Sequence, residues 1–205
     1  MLDDGRELRL AGIEITDDSR AALQALTAGQ VLRLERLGAD HDRYGRVVAF
    51  VFAGDAARSV QQTLLEQGRA RVSARVGDKA CADGLLNAER AARAAGRGLW
   101  ADPNFAPLSA ENLTRLRAMQ GHFTLVEGKV LSVRESGATI YVNFGRRWTR
   151  DFTVIILKRA SRAFAAAGVE PKKLEGRRIR IRGWIEQRGG PIIMTESPEQ
   201  IEVLD

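Results

Sequence analysis

The chain has 205 residues, and 32 Lys and Arg against 26 Asp and Glu give it a net charge of +6; that length has room for one large domain or two of about 100 residues. Its 44% hydrophobic and 28% charged content is that of a folded chain rather than a disordered one, and no window nears the ~18 uninterrupted apolar residues of a membrane span. The single Cys81 rules out an internal disulfide, and with only His41 and His122 beside it there is no cysteine- or histidine-built zinc centre; chemistry has to come from carboxylates, arginines and hydroxyls.

In chain order, the alternation over Glu7–Ile13 predicts a strand, Ser19–Leu26 a short helix and Val31–Leu37 a second strand. Val47–Phe52 reads as a third strand, entered through Tyr44-Gly45-Arg46, and Val60–Gln67 as a helix stopped by Gly68. Ala70–Val72 is a short extended piece before the helical run Leu85–Ala95, which Gly96-Arg97-Gly98 ends. Two prolines in Ala101–Pro107 mark a boundary. Beyond it, Phe123–Arg134, Ala138–Phe144 and Phe152–Leu157 read as strands and Arg159–Ala167 as a helix closed by Gly168. Arg177–Gln187, Pro191–Thr195 and Gln200–Leu204 then resume strands. Strands with a few helices and no regular β-α alternation predict a mainly β, α+β protein made of two small barrels. The domains expected are 1–102 and 108–205, joined by a linker over 103–107.

Charge divides at the same place. Residues 1–104 balance 15 basic against 15 acidic side chains, so the whole +6 lies in residues 105–205. A basic half beside a neutral half suggests a module for polyanions. Within it, alternation over Arg178–Ile185 places Ile179, Ile181 and Ile185 on one face and Arg178, Arg180, Arg182 and Trp184 on the other. The loop Arg146-Arg147-Trp148, close after Tyr141, repeats the pairing of cations with an aromatic ring. Cations track phosphates and flat rings stack on bases, which makes single-stranded DNA or RNA the expected partner of these residues. The alternative is a solvated face whose arginines prevent edge pairing. The second half resembles OB-type nucleic-acid-binding domains in its order of three strands, a helix and two or three strands.

Five stretches of the first half carry a more specific resemblance: Leu8–Glu14 (LRLAGIE), Asp42–Arg46 (DRYGR), Leu64–Val72 (LLEQGRARV), Leu86–Arg93 (LNAERAAR) and Gly98-Leu99-Trp100. In identity, order and spacing they resemble the staphylococcal nuclease (thermonuclease-like) family over residues 6–102. The resemblance implies a five-stranded OB-type barrel with three helices and a phosphodiesterase, endonuclease-type site that uses Ca²⁺. Hydrolysis of a phosphodiester gathers extra charge on the equatorial oxygens and calls for cations there, with an acidic group to hold a metal or orient water. Arg9, on a strand, and Arg46, after a tight turn, suit that task because a planar guanidinium reaches two phosphoryl oxygens at once, and they fall on the family's two catalytic arginines.

The carboxylates depart from the family pattern, which runs Asp, a small residue or Thr, Pro, then Glu; here the stretch is Glu14-Ile15-Thr16-Asp17. The resemblance places Glu14 and the carbonyl of Ile15 near calcium and Asp17, one methylene shorter than the family's Glu, near the attacking water. Alternatively, Thr16 and Asp17 only start the next helix. Asp40, His41 and Asp42 crowd a turn that is either solvated or metal-binding. Family members begin one strand earlier, with an Asp-Gly-Asp-Thr-like turn that supplies a calcium ligand. Met1–Arg6 has no secretory apolar core, so the expected location is the cytoplasm as the sequence stands, or outside the cell if a signal peptide and that strand lie upstream. Two functions remain: a metal-dependent nuclease acting on single-stranded DNA or RNA, or a nucleic-acid-binding or scaffold protein that keeps the nuclease fold without turnover. The protein is expected to be a monomer without membrane contact.

Overall fold

The structure is a computed structural model that describes residues 4–17, 19–38, 41–74, 76 and 79–204. The chain forms two units, Met1–Asn104 and Phe105–Asp205. The first contains β1 (Leu8–Leu10), β2 (Ile13–Ile15), α1 (Ser19–Thr27), β3 (Leu32–Arg36), β4 (Val47–Ala53), α2 (Val60–Glu66), β5 (Ala70–Val72) and α3 (Lys79–Ala94). Its strands make a three-stranded sheet in the order β1-β4-β3, with β1 parallel and β3 antiparallel to β4, and a separate antiparallel pair β2-β5. The barrel expected here is therefore not closed among the described residues.

Gly12 explains why the single strand expected over Glu7–Ile13 is two strands. Its φ is +73°, open to glycine, and a Cβ there would lie 2.5 Å from Val76 and 2.9 Å from Leu85. The backbone bonds to Ala49 through the Ala11 N–H and to Ser73 through the Gly12 carbonyl. At this point the chain leaves β4 and joins β5, which puts Arg9 and Glu14 on different sheets. Ser59 caps α2 by accepting the Gln62 N–H at 3.2 Å. The long α3 starts well before the expected Leu85, through Cys81 and Gly84, and lays Ala82, Leu85, Leu86, Glu89 and Ala92 inward at helical spacing.

The second unit contains β6 (Leu108–Ser109), α4 (Leu113–Ala118), β7 (Phe123–Lys129), β8 (Ser132–Ser136), β9 (Thr139–Asn143), β10 (Thr153–Leu157), α5 (Ser161–Ala166), β11 (Arg178–Arg188), β12 (Gly190–Thr195) and β13 (Ile201–Val203). One sheet runs β6-β7-β11-β12-β10-β9-β8, and β13 pairs with β11. The strand expected over Phe123–Arg134 bends at Val130 and Leu131. Val130 donates to the Arg177 carbonyl beside β11, while Leu131 donates to Asn143 of β9. Apart from the short β6, the sheet thus begins and ends on the two halves of one bent segment. Val126, Val142, Phe152, Ile156, Phe164 and Ile179 belong to its buried core. No helix among the described residues is long and apolar enough to cross a membrane.

Candidate active site and nucleic-acid interface

Arg9 and Glu14, at opposite ends of the Gly12 turn, are joined by an ion pair of 3.2 Å. Glu14 also stands opposite Arg71 in the β2-β5 register. Arg71 is largely buried, and that burial pulls its pKa below the ordinary value, while the charges of Glu89 and Glu14 oppose the shift. Glu89 is fully buried on α3. It accepts the Val72 N–H at 2.9 Å and pairs with Arg93 at 3.3 Å. Arg9, Glu14, Arg71, Glu89 and Arg93 therefore alternate in sign from the sheet into the helix. Glu89 carries no mark of this burial in the sequence, where it is one glutamate on an amphipathic helix.

Arg46 lies just before β4. The parallel register pairs Arg9 with Val48, two positions beyond Arg46, so strand alternation puts both arginines on the same face of the β1–β4 pair. The turn that presents Arg46 is built by Asp42, whose carboxylate accepts the backbone N–H groups of Tyr44 and Arg46 at 2.9 and 3.0 Å. It also takes Arg46 Nε and Nη2 at 2.9 and 2.7 Å. Chiefly because of the Arg46 side chain, the Asp42 pKa is lowered to about 2. Arg46 also stacks on Tyr44, 5.0 Å from the ring centroid. Both guanidinium groups are thus oriented by a carboxylate.

Asp17 is elsewhere. Its side chain is 94% exposed and pairs with Arg20 at 3.3 Å, and the Arg20 N–H bonds the Asp17 carbonyl, which is a helix-start arrangement. Ile15 is exposed. Asp40 lies outside the described residues. Calcium takes about six to eight oxygen ligands, several of them carboxylate. Glu14 is already between Arg9 and Arg71, and no three His, Cys, Asp or Glu among the described residues group to hold a metal. These donors do not form a calcium site by themselves.

In the second unit the structure separates the two basic clusters. Along β11, Arg180 pairs with Glu127 at 2.6 Å and with Glu202 at 3.5 Å, and Arg182, fully buried, pairs with Glu202. Arg178 lies 3.9 Å from Glu127. The row expected to meet nucleic acid is corrected at Arg180 and Arg182, which Glu127 of β7 and Glu202 of β13 engage across the sheet, while Arg178 stays exposed. Trp184 stays half exposed, edge-on to Phe123 at 6.1 Å. The other cluster opens into a groove of about 830 Å³, where Arg146 and Trp148 are joined by Arg134, Tyr141 and Arg188. Arg147 is exposed but does not line it. Neither Arg134 nor Arg188 belongs to a local Arg/Trp cluster in the sequence: Arg134 is the one arginine of β8, and Arg188 ends β11, beyond the Arg178–Ile185 alternation.

Residues 12–102 match the family model for staphylococcal nuclease homologues. The match covers less than half of the chain and lies within the first unit; the domain of that family is of OB-fold type, and the remainder of the chain has no family assigned. No curated protein is similar enough to the chain to count as a match.

Proposed function

We propose that the first unit is a nuclease-type domain acting on the phosphodiester bonds of single-stranded DNA or RNA, with Arg9 and Arg46 as its phosphate-binding cations. The placement of both arginines on one face of the β1–β4 pair carries this reading. Two oriented guanidinium groups can hold a phosphodiester by its non-bridging oxygens and stabilise the charge that grows on them as the ester is attacked. Calcium dependence follows from the family alone, and the chemistry the described residues offer is that of the arginine pair.

A second reading is favoured by a specific observation. Glu14 is engaged by arginine and Asp17 faces solvent, so neither carboxylate that the family pattern places at the site is set to orient a water, as in a domain that binds nucleic acid without turnover. One assay separates the two: cleavage of fluorophore–quencher single-stranded DNA and RNA, in Ca²⁺ and in chelator. Cleavage that falls about 100-fold or more in Arg46→Ala supports the nuclease. Full activity in chelator removes the metal. No cleavage, with binding that weakens in Arg9→Ala and Arg46→Ala, establishes the second reading.

A further inference from the structure

The groove of the second unit combines four properties. Its rim is cationic: Arg134 and Arg146 have no ion-pair partner among the described residues, and Arg188, exposed and paired with Glu186 at 3.3 Å, adds a third guanidinium. The acidic residue lining it, Glu175, has its carboxylate engaged by the Val133 N–H at 3.0 Å. Its walls carry Tyr141 on β9 and Trp148 in the loop after β9, the latter 70% exposed and so without a core to serve. Its floor mixes Ile155 and Ile192 with Asn143 and Thr153, whose side chains hydrogen-bond each other at 3.2 Å.

The loop that presents Arg146 and Trp148 is held in place. Asp151 accepts the Arg147 N–H at 2.8 Å, and the Arg150 and Asp151 N–H groups both return to the Arg147 carbonyl. A Cβ at Gly145 would lie 2.1 Å from the Asp151 carboxylate, and one at Gly190 would lie 2.6 Å from the Asp151 carbonyl. An exposed tryptophan on a fixed loop beside unpaired arginines is a preformed binding surface.

We propose that this groove is a track for single-stranded nucleic acid, with Tyr141 and Trp148 stacking on unpaired bases and Arg134, Arg146 and Arg188 meeting phosphates. The choice of nucleic acid among polyanions rests on the nuclease-type domain in the same chain. The stacking rings add their own reason, since other polyanions offer them no flat partner. Arg180 and Arg182 of β11 take no part, because Glu127 and Glu202 engage them.

The test is fluorescence anisotropy of the full chain, in chelator, with labelled dodecamers of thymidylate and of uridylate. Trp148→Leu and Tyr141→Leu are expected to bind about 5- to 100-fold more weakly, Tyr141→Phe to retain binding, and Trp184→Leu to bind as the unaltered protein does. Arg134→Ala with Arg146→Ala is expected to lower the slope of log K against log salt by about 1.4. The ratio of the two dodecamers distinguishes DNA from RNA. Thermal midpoints confirm that each variant is folded, and Trp148, being exposed, keeps the test open if a Tyr141 variant is not. Binding unchanged in the Trp148 and Arg134/Arg146 variants, equal binding of duplex, or no binding at low salt each overturns the proposal. Absence of cleavage alongside groove-dependent binding overturns the nuclease instead and leaves the groove standing.

Discussion

Asp42 accepts four hydrogen bonds, two of them from the Arg46 guanidinium, and these set both the shape of its turn and its acidity. Its carboxyl is held at about 2 against an ordinary 3.8. A lowered acid favours the folded turn fully above 3.8, and that contribution is lost as pH falls through about 2. An NMR titration of the Asp42 carboxyl is expected to show a midpoint near 2, moving toward 3.8 in Arg46→Met because the largest cause is then gone. Glu89 is the buried counterpart. Its removal takes away the side-chain acceptor of the Val72 N–H and one of the two carboxylates, with Glu14, whose charge favours the buried Arg71 cation. Glu89→Ala is expected to destabilise the first unit by about 3 kcal/mol or more, with Glu89→Gln between, as read from urea unfolding midpoints.

Between elements, close backbone approach matters more than helix or strand preference. Gly68 ends α2 and Gly98 follows α3, and each has positive φ. A Cβ on Gly98 would lie 2.4 Å from the Gly68 carbonyl, whose oxygen accepts the Leu99 N–H. Gly96 also has positive φ but open space around it. Gly98→Ala is therefore expected to cost about 2 kcal/mol or more, adding overlap to backbone strain, and Gly96→Ala about 1 kcal/mol; thermal midpoints give the ranking. These contacts mark how far sequence can be read. Strands β3 and β4 and helix α2 show in their apolar spacing and stop residues, which are local. The Gly12 turn does not, because the alternation of Leu8 and Leu10 runs through it and its cause lies at Val76 and Leu85. Helix α4, six residues long, is too short for periodicity to declare. Arg9 and Arg46 stand out by motif, and Arg146 and Trp148 by their clustering, and the structure places the first pair beside β4 and the second along the groove. The fate of Arg182 was not legible: alternation fixes which face it takes, whereas its cover, Glu202, arrives from 20 residues downstream.

At the scale of the whole molecule, charge and core divide together. The net +6 belongs to residues 105–205, and a separate buried cluster running from Ala110 to Ile201 supplies that segment with its own core. About 100 residues with such a core can fold alone, so residues 105–205 expressed by themselves are expected to unfold in one cooperative urea transition. Phe152 tests this in the full chain. It is fully buried, and its ring centroid lies 5.1 Å from that of Phe144, so Phe152→Ala is expected to cost about 3–5 kcal/mol. That loss should shift the transition of the second unit alone, followed by amide exchange at Val126, Val142 and Ile179, while Glu89→Ala shifts the protection of Leu64 and Val72. Were both variants to lower both sets equally, the two units would unfold as one, and activity and groove binding could not be altered separately by changes in either core.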